Sequence, residues 1–204
     1  DELTGALIGL ARAAQNNVPD ETARKVMLEG LFATITNVDF NDAELDRLIE
    51  RVHQEKKKLV PDCTVCGAPC GRTEDYDLRK IWEAQEDIRS LKSLILFGVR
   101  GMAAYAWHAA VLGYTDPEVD AFFYRAMAVL GEDFGMEELL PVVMETGKVN
   151  LRCMELLDKA NTESYGNPVP VQVSMTIEKG PFIIVTGHDL HDLKLLLEQT
   201  EGKG

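Results

Sequence analysis

From Glu2 to about Ala160 the apolar residues of this chain recur at helical spacing, and beyond Pro168 they recur at every second residue. A helix brings every third or fourth side chain to one face, a strand every second, so the two stretches cannot form the same kind of element. The change of period predicts a mainly helical body followed by the opening of an α/β region. In that region Val171, Val173, Met175 and Ile177 alternate with Gln172, Ser174 and Thr176, which reads as a strand with one polar face. Pro181-Phe182-Ile183-Ile184-Val185 reads as a fully apolar strand, Thr186-Gly187-His188 as a tight turn, and Asp189 as the opening of a helix carrying Leu190, Leu193 and Leu197. That is the first strand–turn–helix step of a Rossmann-like parallel sheet. A strand so apolar wants cover on both faces, and at most one other strand candidate precedes it. The expectation is a piece of a larger protein. The start at Asp1, without Met and inside a helical pattern, reads the same way.

The helical body divides into two similar stretches. In the first, residues 2–15 carry small and apolar residues along their whole length, Asp20 is placed to cap a second helix running to about Thr36, and Asn41 or Asp42 a third. Leu45, Leu48, Ile49 and Val52 give that third helix an apolar face. Residues 61–77 contain Pro61, Gly67, Pro69 and Gly71 and read as a connector, with helical signal returning at Leu78–Trp82. In the second stretch, Glu86 to Leu112 reads as one central apolar helix, with Gly98 and Gly101 marking close helix approach. Thr115-Asp116-Pro117-Glu118 reads as a capping box with Thr115 at the cap, opening a helix that ends at Leu130. Met136 to about Ala160 completes the set. The two stretches read as a duplicated three-helix bundle. The domains expected are a first bundle at 1–60, a cysteine-containing connector at 61–84, a second bundle at 85–165 and the start of the α/β domain at 166–204.

Charge narrows the partners. With 34 acidic against 21 basic residues the net charge is −13, which argues against binding a nucleic-acid phosphate backbone. The run Lys56-Lys57-Lys58 is too short to reverse this and suits a solvated helix end. Lys92, Arg100 and His108 interrupt the longest apolar helix, so no membrane span is expected. No signal peptide is visible, and a cytoplasmic protein with reduced thiols is expected.

His188 is the leading candidate for chemistry. It falls between a strand's carboxyl end and a helix N-terminus, where α/β folds gather ligands. The helix end disfavours imidazolium, and neutral imidazole is the form that binds metals. His191 reads as solvent-facing, and His53 and His108 as structural. Cys63, Cys66 and Cys70 have spacings that suit zinc or an iron–sulfur cluster, but a closed site needs a fourth ligand, which Cys153 supplies only if its helix lies alongside. Three reduced thiols in a connector are the plainer alternative. Trp82, Tyr105, Trp107, Phe122 and Phe123 stand at helical spacing and read as core.

Several segments resemble the hybrid cluster protein family, also known as prismane proteins or hydroxylamine reductases. They are Gly30-Leu-Phe-Ala-Thr-Ile-Thr-Asn37, Glu86-Asp-Ile-Arg-Ser-Leu-Lys-Ser93, Gly101-Met-Ala-Ala-Tyr-Ala106, His108-Ala-Ala-Val-Leu-Gly113 and Leu156-Leu-Asp-Lys-Ala-Asn161. The most specific is Gly187-His188-Asp189-Leu190 leading to Leu197-Glu-Gln-Thr-Glu-Gly202. The resemblance implies a helical domain of two three-helix bundles followed by α/β domains. It implies two cofactors in the parent protein, an iron–sulfur cubane and a hybrid iron–sulfur–oxygen cluster. The implied reaction is two-electron reduction of hydroxylamine to ammonia and water, fed by an electron-donor protein, with a proposed link to nitrosative stress. It makes His188 a ligand of the hybrid cluster.

The family's N-terminal four-cysteine motif would precede Asp1, and the remaining hybrid-cluster ligands would follow Gly204. The isolated chain is therefore expected to hold neither cluster and to be inactive. Resemblance assigns no role to Cys63, Cys66 and Cys70. Two other readings stand beside this one: a relative of nickel–iron carbon monoxide dehydrogenase, and a non-enzymatic helical module with structural zinc at the cysteine connector.

Overall fold

The computed structural model describes residues 1–35, 41–60, 74–177, 179–187 and 189–203. Among them eight α-helices form: α1 Glu2–Ala13, α2 Glu21–Ala33, α3 Asp42–Leu59, α4 Arg79–Trp82, α5 Glu86–Val111, α6 Pro117–Leu130, α7 Met136–Tyr165 and α8 Leu190–Thr200. A single 3-10 turn, Ala14–Asn16, continues α1. Two compact units are distinct, Asp1–Asn161 and Thr162–Gly204.

In the first unit the helices of both stretches share one core. α1 packs on α3 and α6, and α2 on α3 and α5. Leu7, Ile8, Leu10, Met27, Leu31, Ile95, Leu96, Phe122, Phe123 and Met127 are fully buried. Each such side chain contributes about 1.5–3 kcal/mol on removal from water. Trp82 and Trp107 sit at the edge of this core. Tyr105, expected inside, is 38% exposed, because it falls on the face of α5 that no described helix covers. By length and composition α5 could also cross a membrane. Here its apolar side chains Ile95, Leu96, Val99 and Met102 line the protein core.

Small residues set the closest approaches. Tyr76 donates its N–H to the Gly5 carbonyl at 3.0 Å. A Cβ on Gly5 would lie 2.4 Å from the Tyr76 carbonyl oxygen, and one on Gly9 would lie 3.0 Å from that of Glu74. Gly5 and Gly9, one turn apart on α1, thus form a groove that seats the backbone of residues 74–76. Gly98 meets Thr146 of α7 in the same way, with a Cβ-to-Cγ2 distance of 2.6 Å. Gly101 does not behave as expected: nothing lies within 4 Å of its Cβ position. It is one helical turn from Gly98, but on the uncovered side.

Capping follows side-chain chemistry. Asp20 accepts from the Ala23 N–H at 2.8 Å. Asp116, not Thr115, caps α6, accepting from the N–H groups of Glu118 and Val119 at 2.8 and 3.4 Å. Its other oxygen receives Arg152 Nε at 2.7 Å. The cap belongs to Asp116 because Pro117 occupies the first helical position and fixes the chain just after it. Asp116→Ala should cost about 1–2 kcal/mol in chemical denaturation, and Thr115→Ala less than about 0.5 kcal/mol. Equal losses would return the cap to Thr115.

The second unit overturns the strand expectation. Residues 169–177 and 181–186 are described without any strand, and none of residues 169–177, 179–187 makes a backbone–backbone hydrogen bond. Val171, Val173, Met175 and Ile177 are all at least 72% exposed, and Phe182, Ile183, Ile184 and Val185 at least 51%. A strand exists only through a ladder to a neighbour, and even a lone hairpin is marginal in water. Alternation marks which residues would share a face; it does not supply the partner. The expected helix does form. Asp189 caps α8, accepting from the N–H groups of His191 and Asp192 at 2.9 and 3.2 Å. No residue of α8 is buried.

Candidate functional site

The residues singled out for metal chemistry fall at the margins of what is described. His188 lies outside the described residues, between Gly187, whose φ is +121°, and the cap residue Asp189. Cys63, Cys66 and Cys70 also lie outside them. The chain leaves α3 before that connector and returns at Glu74. There His53 Nε2 and Lys56 Nζ, both from α3, meet Asp75 at 2.8 and 2.6 Å. Burial opposes ionisation of Asp75, yet hydrogen bonds from Lys56 and His53 hold its carboxyl below the usual range. His53 thus helps hold residues 74–76 against α3. His108 packs edge-on to Phe32 at 5.8 Å.

Cys153 is fully buried in α7, and its thiol donates to the Met102 carbonyl at 3.6 Å. Burial, with Asp116 and Asp120 nearby, pushes it up to about 12. In this position the thiol packs as a core side chain. Among the described residues no three His, Cys, Asp or Glu side chains converge as a metal site. An iron–sulfur–oxygen cluster needs several thiolate and carboxylate ligands; the described residues do not fit one.

Two features went unread in the sequence. Lys92, visible only as an interruption of an apolar helix, is 4% exposed. Its ammonium donates to the carbonyls of Leu130 and Glu132 at 3.0 and 2.7 Å, closing the C-terminus of α6. The second feature is a cavity of about 1000 Å³ bounded by α1, α2 and α6, with Asp120 and Tyr124 on its wall. Tyr124 donates its hydroxyl to the Ala23 carbonyl at 2.8 Å, tying α6 to α2.

All 204 residues match the Prismane/CO dehydrogenase family, to which the chain belongs. Its relatives include a hydroxylamine reductase of Solidesulfovibrio magneticus, 42% identical over 226 aligned positions that take in 100% of this chain and 42% of that protein. A hydroxylamine reductase of Maridesulfovibrio salexigens is 40% identical, over 98% of this chain and 39% of its own length. One from Bacteroides thetaiotaomicron is 43% identical, over 91% and 36%. The chain therefore spans about two fifths of the length of these relatives.

Proposed function

We propose that this chain is the helical portion of an iron–sulfur oxidoreductase that reduces hydroxylamine. The observation that carries the reading is the set of relatives named hydroxylamine reductase, about 40% identical across nearly the whole chain. In the parent reaction the N–O bond breaks as two electrons and two protons are taken up, giving ammonia and water. A donor protein supplies the electrons. The parent carries a cubane and a hybrid iron–sulfur–oxygen cluster, and His188 is a ligand of the latter. By itself the chain is expected to hold neither cluster and to be inactive, since an iron–sulfur–oxygen cluster needs several thiolate and carboxylate ligands besides one imidazole. The protein works in the cytoplasm, where its thiols stay reduced.

The family also takes in carbon monoxide dehydrogenases. The names of the relatives favour the reductase, and metal content separates the two: nickel in the intact parent would point to the dehydrogenase. For the reductase reading, His188→Ala in the intact parent should lower hydroxylamine-dependent oxidation of a reduced viologen dye by about a hundredfold or more. It should also abolish the hybrid-cluster signal in electron paramagnetic resonance. Full activity with the signal intact would remove His188 from the ligand set.

A further inference from the structure

The cavity between α1, α2 and α6 has an unusual balance of charge. The buried side chains Ala11, Ala14, Leu28 and Ala128 give it an apolar inner wall. The cations around it are already engaged. Lys25 pairs with Glu21 at 2.7 Å. Arg125 pairs with Glu145 and lies over the Phe122 ring. Arg24 donates Nη1 to the Pro19 carbonyl at 3.2 Å. Of the acids, Glu21 has Lys25, and Glu132 has Arg12 at 3.6 Å.

Asp120 is the exception. Its carboxylate accepts no hydrogen bond from any described residue, and its nearest cation is Arg24 Nε at 4.0 Å. Its side chain is only 20% exposed. Burial raises its pKa, with Arg24 acting against this and Asp116 with it. A half-buried carboxylate whose described partner is one ion pair at 4.0 Å keeps unused acceptor capacity, which a cationic hydrogen-bond donor would satisfy.

We propose that this cavity is a binding site for a small organic ammonium ion, its nitrogen on Asp120 and its hydrocarbon body against Ala11, Ala14, Leu28 and Ala128. The volume lies within the range of small-molecule pockets, and an apolar lining with one placed charge is their usual composition. A carboxylate ligand is disfavoured, because Asp120 repels it and the neighbouring cations already have partners. The site is independent of the cluster chemistry proposed for His188.

Calorimetric titration of the chain with hexylammonium, hexanol and hexanoate tests this. Hexylammonium should bind about tenfold more tightly than hexanol, the margin expected of one charge-assisted hydrogen bond, and hexanoate should bind most weakly. Asp120→Asn should bring hexylammonium down to the level of hexanol. Ala121→Phe, at an exposed position on the cavity wall, should block all three while leaving the melting temperature unchanged. Failure of hexylammonium to bind, equal affinity for hexanol, or a preference that survives in Asp120→Asn would each overturn the proposal.

Discussion

Gly5→Val should destabilise the first unit by roughly 3 kcal/mol, at the upper end of what overpacking costs. The atom in the way is a backbone oxygen, that of Tyr76, 2.4 Å from where the Cβ would sit. A flexible side chain could turn aside, but a main-chain carbonyl moves only with its segment. That segment is tied to α1 by the Tyr76 N–H bond to the Gly5 carbonyl at 3.0 Å. It is held from the other side by His53 and Lys56 on Asp75. Relief therefore means lifting residues 74–76 off α1 and uncovering Tyr76, Leu78 and Ile81, all buried in the core. Gly101→Ala is the control. It is also a helical glycine, yet nothing lies within 4 Å, so it should stabilise by about 0.5–1 kcal/mol through helix propensity alone. Urea denaturation of the two variants measures both effects. Similar midpoints for Gly5→Val and the unmodified chain would show that residues 74–76 do not rest on α1.

Lys92→Met should cost about 2–3 kcal/mol, although methionine matches the lysine stem in size and prefers a helix equally well. The loss comes from the Leu130 and Glu132 carbonyls, which would keep their burial and lose their donor. The pH dependence identifies the group. Burial lowers the Lys92 pKa from its ordinary 10.5, with Asp133 and Glu132 opposing the shift. Between the lowered folded value and 10.5 the unfolded chain binds more protons, so this group makes stability rise with pH across that window. The same rise should be missing from Lys92→Met. An unchanged denaturation midpoint, with the alkaline rise still present, would falsify the role given to Lys92.

Both variants act through residues whose importance has a weak sequence signature. A lysine in an apolar helix reads as a break in hydrophobicity, because the period of α5 says which face is inward but not what waits there. Only the fold brings the C-terminus of α6 to Lys92 and turns an interruption into a cap. Gly98 and Gly101 look equivalent in sequence, one helical turn apart. Packing separates them, since α7 covers Gly98 through Thr146 and leaves Gly101 open. Thr115 and Asp116 are both good capping residues, and the position of Pro117 decides for Asp116. The cavity had no signature at all, because its lining comes from helices far apart in the chain.

The sequence by itself determined the helices, since their apolar spacing and their caps are local. It also carried enough of the family's wording, from Gly30 through Gly187-His188-Asp189-Leu190, for membership to be read before any coordinates. Tertiary structure decided what depends on partners distant in sequence. It seated residues 74–76 in the Gly5–Gly9 groove, buried the Cys153 thiol against the Met102 carbonyl and closed α6 with Lys92. It also left the segments at 169–177 and 181–186 without a ladder. The division follows from the range of the forces. A helix satisfies its own backbone within four residues, whereas a strand, a buried charge and a cavity are each completed by groups that only the folded chain brings near.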